Sequence, residues 1–213
     1  MMPLRETSAA AGAPVRDSQP DANGAVAPRA ALDALMAMMS ACAPAAYAHA
    51  RRVARSARAI ARIVELPDPL VEQVEHAALL HDIGKLAIPD PDVEADGAHG
   101  ELQATLRRQH IRIGFDILSV VPQLRPAAAL VIAQYERWDG YGYPAGLRGR
   151  EIPIGARIVA VADAYDVLTS THAYRAGLSR DDANAEIVRS AGTYFDPDIV
   201  RAWLRASDKL ECF

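Results

Sequence analysis

No stretch of this chain alternates polar and apolar residues for long enough to build a strand, which leaves helices as the available structure. Apolar residues instead recur every three or four positions, the spacing that gathers them on one helical face. Leu32, Leu35, Met36 and Met39 form one such set, and Val53, Ala57, Ile60 and Val64 another. Proline and glycine mark the ends of these sets. Pro44 interrupts after the first, Pro67-Asp68-Pro69 makes a turn after the second, and Pro122 closes a helix over about 100–120. Further helices are expected over about 70–84, 124–137 and 154–171. The run from Trp138 to Leu147 holds too much Gly and Pro to be helical. Ser179 with Asp182 three residues on resembles a capping box, and Asp196-Pro197 reads as an N-cap followed by proline at the first helical position. The expected fold is all-α, a single bundle of about seven helices over residues 29–208. Residues 1–28, rich in Ala, Pro, Gly, Asp and Ser and without periodicity, are read as a disordered leader. It is expected to be too short for a preceding receiver or sensor domain.

Charge and cysteine content narrow the partners. The formal net charge of -4 carries no basic excess, so DNA is not an expected partner, whereas a small phosphorylated ligand needs only a local basic patch. Cys42 and Cys212 stand near opposite ends, which is no disulfide framework and fits a reducing compartment. No apolar run reaches the ~20 residues of a membrane span, and the N-terminus lacks a signal-peptide layout. A cytoplasmic location is expected.

The chemistry concentrates at His81-Asp82, adjacent in the otherwise apolar stretch from Leu79 to Leu86. Neither side chain is stable buried alone, and one divalent cation would relieve both. His49, in the second helix, and Asp163, ending the hydrophobic run from Ile158, are the other candidates. Two imidazoles and two carboxylates make a nearly neutral shell around a divalent ion, a donor mixture suited to Fe, Mn, Zn, Ni or Co more than to Mg or Ca. Taken singly, His49 also fits a surface helix position, and Asp163 a pairing with Arg157.

Together these residues resemble the HD superfamily of metal-dependent phosphohydrolases, and the second half resembles its HD-GYP branch. The resemblance rests on His110-Ile111-Arg112-Ile113-Gly114, on the loop from Glu136 to Leu147, on Ile152-Pro153, on the segment from Val161 to Ser170, and on Phe195-Asp196-Pro197. It spans about 47–204 and implies a helical bundle whose two or three metals hydrolyse cyclic di-GMP. On this resemblance His49, His81, Asp82 and Asp163 hold one metal, with Asp82 bridging to a second that His110 serves. Asp82 and Lys85 carry the catalytic roles, Lys85 and Arg175 meet phosphate oxygens, and Tyr143 and Pro144 shape the substrate loop.

The chain departs from the family where two histidine ligands normally precede the Glu136 loop. Gln134 and Tyr135 stand there instead. Ala45 replaces a glutamate of the three-metal members, and His172-Ala173 replace Arg-Pro. One metal site is therefore expected whole, a second depleted and a third absent. The implied function is a cyclic di-GMP phosphodiesterase of reduced activity. The alternatives are a one-metal phosphohydrolase of another nucleotide, an inactive metal- or nucleotide-binding module that signals through a protein partner, and a fold kept as an interaction platform that binds no ligand.

Overall fold

A computed structural model describes residues 28–88, 99–171 and 176–210 of the chain. Eight α-helices run through them: α1 (Pro28–Cys42), α2 (Pro44–Ile63), α3 (Asp68–Leu80), α4 (His99–Ser119), α5 (Arg125–Ile132), α6 (Ile154–Thr169), α7 (Arg180–Arg189) and α8 (Pro197–Leu210). Short 3₁₀ turns occupy Ile83–Ala87, Pro122–Leu124 and Gly149–Glu151. The only β pairing among the described residues is an isolated bridge between Ala191 and Phe195, so the all-α expectation holds. The leader, most of the loop before α4, and His172, Ala173 and Arg175 lie outside the described residues.

Helix α2 organises the bundle, packing against α1, α3, α6 and α8. Its buried face carries Ala50, Ala54, Ala57 and Ala61 with Val53 and Ile60 among them. Small side chains on that face let neighbouring helices come close, because the interaxial distance is set by the residues at the contact. Val74 and Ala77 of α3, Ile158 and Val161 of α6, and Trp203 of α8 fill the same core. The packing holds the buried C-terminal end of α3 and the middle of α6 beside His49.

Caps close the later helices as the spacing foresees. The Ser179 hydroxyl accepts the Asp182 N–H at 3.2 Å, and the Asp196 carboxylate accepts the Asp198 N–H at 2.8 Å. Arg157 pairs with Asp196 at 2.5 Å and donates to the Ile152 carbonyl at 2.9 Å. It therefore serves the start of α8 and not Asp163.

Two helix ends differ from the expectation, and both matter for the site. Helix α3 stops at Leu80, so His81 and Asp82 form the turn after it and not its last turn. The chain then tightens so that its backbone can lie against α4. A Cβ on Gly84 would fall 1.9 Å from the His110 carbonyl oxygen and 2.7 Å from the Gly114 nitrogen. Only glycine permits that approach. Helix α5 stops at Ile132, so Gln134 and Tyr135 lie in the turns beyond it. There the loop folds back on itself. The buried Glu136 carboxylate accepts the N–H groups of Ala145 at 2.7 Å and Leu147 at 3.0 Å. A Cβ on Gly142 would fall 2.2 Å from the Arg137 nitrogen. No helix among the described residues is long and apolar enough to cross a membrane.

The Gly84 contact yields a test. Gly84→Ala forces the 3₁₀ turn away from α4, and overpacking of this kind costs about 1–3 kcal/mol. Urea denaturation of the variant should give a lower midpoint with an unchanged slope.

Candidate metal centre

Helices α2 and α6 and the turn after α3 bring three acceptor atoms together, from His49, Asp163 and His81, with Asp82 Oδ2 beside them. His49 Nε2, from α2, lies 3.2 Å from His81 Nε2 and 3.1 Å from Asp163 Oδ1 of α6. His81 Nε2 is 3.6 Å from the same Asp163 oxygen and 3.4 Å from Asp82 Oδ2, which stands 3.9 Å from His49 Nε2. Metal–ligand bonds of about 2.0–2.2 Å subtend ligand–ligand edges of about 3 Å, so these separations suit a shared cation. His49, His81 and Asp163 also form a group whose ligand atoms all lie within 4.8 Å of one another.

The protons explain why a cation belongs there. His81 Nδ1 faces the Ala78 carbonyl at 2.9 Å, a group that only accepts, so Nδ1–H donates to it. His49 Nδ1 faces Asp166 Oδ2 at 2.7 Å, and Nδ1–H donates to that carboxylate. Each neutral imidazole then presents its Nε2 lone pair to the centre, where two carboxylates already converge. No donor reconciles them except a positive charge. Two neutral imidazoles and two carboxylates carry the charge that a divalent ion balances.

The titration behaviour shows the same demand. Burial opposes a charged His49, but Asp163 and Asp166 outweigh it and push its pKa up to about 9. Burial opposes charge on His81 as well, and Asp82 and Asp163 raise it nonetheless. For Asp163 burial favours the neutral acid, yet His49 and His81 hold it well below the usual carboxylate range. Asp82 is likewise lowered against its burial, by His81 and then Lys85. Without a metal, protons supply the missing positive charge.

A second recess adjoins the first. Asp82 Oδ1, turned away from the centre, lies 3.8 Å from His110 Nε2 of α4. Asp82 Oδ1 and Gln134 Oε1 are buried with no hydrogen-bond partner among the described residues. Gln134 Nε2 donates to the His81 carbonyl at 3.4 Å. The Tyr135 ring lies flat on Tyr143, with centroids 5.4 Å apart, and meets the His110 ring edge-on at 5.9 Å. Arg108 lies 5.6 Å over the far partner of that stack, Tyr143. Lys85 Nζ is 2.7 Å from Asp82 Oδ2, and Pro144 is exposed behind a cis peptide bond to Tyr143. The sequence-derived candidates thus gather around His49, His81, Asp82 and Asp163, with His110, Lys85 and Tyr143 at their edge. Arg175 lies outside the described residues.

Two residues of the centre went unremarked in the sequence. Asp166 receives His49 and is itself gripped by Arg52, through Nε at 2.6 Å and Nη2 at 2.9 Å. Burial favours a neutral Asp166, but His49 and Arg52 lower its pKa to about 2. The carboxylate therefore stays charged, fixing the His49 tautomer and ring orientation. The signal was present as spacing: Arg52 follows His49 by three, and Asp166 follows Asp163 by three, one turn on the same helical face.

The family follows from comparison with known proteins. The HD domain profile matches residues 33–199, and the chain belongs to that family. It is 37% identical over 166 residues to a cyclic di-GMP phosphodiesterase of Thermotoga maritima, covering 77% of this chain and 45% of the relative. It is 39% identical over 162 residues to a cyclic di-GMP phosphodiesterase response regulator of Xanthomonas campestris pv. campestris, covering 75% and 43%. The chain thus spans less than half the length of these relatives. The fold is also that of a cyclic GMP-AMP specific phosphodiesterase from Vibrio cholerae, with a TM-score of 0.64 at 20% identity over 84% of this chain and 48% of the other. The HD family implies a divalent metal, and the converging acceptors fit one.

Two measurements test the centre. Since His49 without metal has a pKa of about 9, metal loading at pH 7 should expel about one proton from it, and affinity should climb with pH until about 9. Calorimetry in two buffers of different ionisation enthalpy reads the release. In the metal-free chain the raised His49 stabilises the fold fully below its ordinary value of 6.5, and that contribution fades as pH rises through about 9. Separately, Asp166→Asn keeps the shape but removes the charge behind His49. Competition with a chromogenic chelator should show metal affinity about 10- to 100-fold weaker.

Proposed function

We propose that the chain is an HD-GYP-type phosphodiesterase that hydrolyses cyclic di-GMP in the cytoplasm, at a centre whose one complete cation site is His49, His81, Asp82 and Asp163. The observation that carries this reading is the convergence of His49, His81 and Asp163 acceptors, with Asp82 beside them, while both imidazoles donate outward. His49, His81, Asp82 and Asp163 would hold a cation of the Fe, Mn, Zn, Ni or Co group, which would supply Lewis-acid polarisation of a phosphoryl oxygen and a water of lowered pKa.

The protein's own groups orient the substrate. His81 and Lys85 keep Asp82 ionised against its burial; its role is to grip the cation and to bridge toward the recess at His110. Lys85, with half its side chain in solvent, swings from Asp82 to a phosphate oxygen. Arg175 meets a second phosphate oxygen. Tyr143, stacked on Tyr135, offers a flat wall to a base, and Pro144 fixes the loop beside it.

The second cation site is depleted. Gln134 brings a neutral carbonyl oxygen where the family has an imidazole, and the Tyr135 ring is engaged with Tyr143. Each metal of a two-metal centre stabilises one oxygen of the in-line displacement. Losing one such contribution costs ~3–4 kcal/mol, several hundredfold in rate. Gln134 and Tyr135 therefore also favour a second reading: a module that holds metal and nucleotide, signals through a protein partner and turns over little. A one-metal phosphohydrolase of another nucleotide belongs to the first reading with a different occupant.

Metal analysis with a cyclic di-GMP turnover assay separates these. The first reading expects about one tightly held transition metal per chain with slow hydrolysis. Joint replacement Gln134→His and Tyr135→His should move metal content toward two and accelerate hydrolysis. Unchanged metal content and rate in the double variant would reject the depleted-site account, and nucleotide binding without any turnover would favour the signalling module.

A further inference from the structure

One helical turn beyond the metal centre, α2, α6, α8 and the start of α7 line a cleft of about 350 Å³ that the proposed hydrolysis does not use. Its size falls at the lower end of small-ligand pockets, about 300–1,000 Å³. Three guanidiniums line it, those of Arg52, Arg55 and Arg180, against the single carboxylate of Asp166. Arg52 commits Nε and Nη2 to Asp166 and Ser170. Arg180 donates to the Tyr165 hydroxyl and the Ser207 carbonyl, both at 3.3 Å, which holds its guanidinium at the cleft wall.

Arg55 is the unexplained member. It is exposed, and no hydrogen bond or ion pair links it to any described residue. It stands three residues after Arg52, so two like charges share one helical face above the cleft. An anion between them turns that repulsion into attraction. The floor is aromatic: the Tyr165 and Trp203 rings lie 4.4 Å apart. The Ser56 hydroxyl adds a neutral donor at the wall, and that of Ser170 donates to Asp166 at 3.3 Å. Forked cations over an aromatic floor match a tetrahedral oxyanion carrying an organic group.

We propose that this cleft binds the dianionic phosphate of a phosphomonoester, gripped by Arg52 and Arg55, and that its occupancy reaches the metal centre through Arg52 and Asp166. Arg52 is shared between the cleft and the carboxylate that orients His49. A bound phosphate draws it away from Asp166 and loosens the restraint on His49. Binding at the cleft does not depend on turnover, so it stands or falls separately from the hydrolytic reading.

Calorimetric titration of the metal-loaded full chain tests it, with inorganic phosphate and guanosine 5′-monophosphate as probes. Saturable binding is expected, weakened at least about tenfold by Arg55→Ala and by a smaller factor by Arg55→Lys, which keeps the charge but not the fork. Tighter binding of the nucleotide than of phosphate assigns the ester group to the aromatic floor; equal binding assigns the cleft to free phosphate. The rate at which a chelator strips the metal should change with saturating phosphate in the native chain and stay constant in Arg55→Ala. Absence of binding, or binding that Arg55→Ala leaves intact, overturns the site. Binding that Arg55→Ala abolishes, with a stripping rate indifferent to phosphate, overturns the link to the metal centre.

Discussion

Lone pairs brought to one point repel unless positive charge sits among them, and the architecture around His49 answers that requirement. The two imidazoles spend their Nδ1–H groups outward, on Asp166 and on the Ala78 carbonyl. What they turn inward is acceptor, and Asp82 and Asp163 add more. Such an arrangement calls for positive charge, from a cation or from protons on the imidazoles. Arg52 keeps Asp166 charged, which holds the His49 ring to its role, and Lys85 balances part of the charge on Asp82. The outer partners and the centre form one electrostatic unit spread over α2, the end of α3, and α6.

Close backbone contact gives this unit its dimensions. The alanine-lined face of α2 lets α3 and α6 approach together. Gly84 does the same between the turn after α3 and the backbone of α4. Through that contact His110 stands on the far side of Asp82, and a carboxylate with two oxygens comes to face two recesses. One recess gathers His49, His81 and Asp163 beside Asp82. The other is bordered by Gln134 and by the Tyr135 ring, and its remaining buried acceptors are Asp82 Oδ1 and Gln134 Oε1.

Much of this was legible in the chain before any coordinates. Helical periodicity and the absence of alternation gave the fold class, because those patterns follow directly from which face is buried. His49, His81, Asp82 and Asp163 were legible because polar groups stand out against apolar surroundings, and the HD-GYP resemblance joined them. Helix ends were less legible. The stop at Leu80 depends on Gly84 touching α4, a contact between segments about 26 residues apart in sequence that no local propensity encodes. The early end of α5 depends in the same way on Glu136 reaching Ala145 and Leu147. Asp166 and Arg52 were passed over because an arginine and an aspartate on exposed-looking helical faces read as ordinary surface charge. Their partnership exists only once α2 and α6 are side by side.

Glu136 has a consequence of its own. It shapes the Gly-Tyr-Pro loop by capturing two main-chain amides, and neither amide belongs to the cation sites. The loop can therefore keep its outline whatever residues stand at 134 and 135, so its shape by itself does not report how many cations lie beside it.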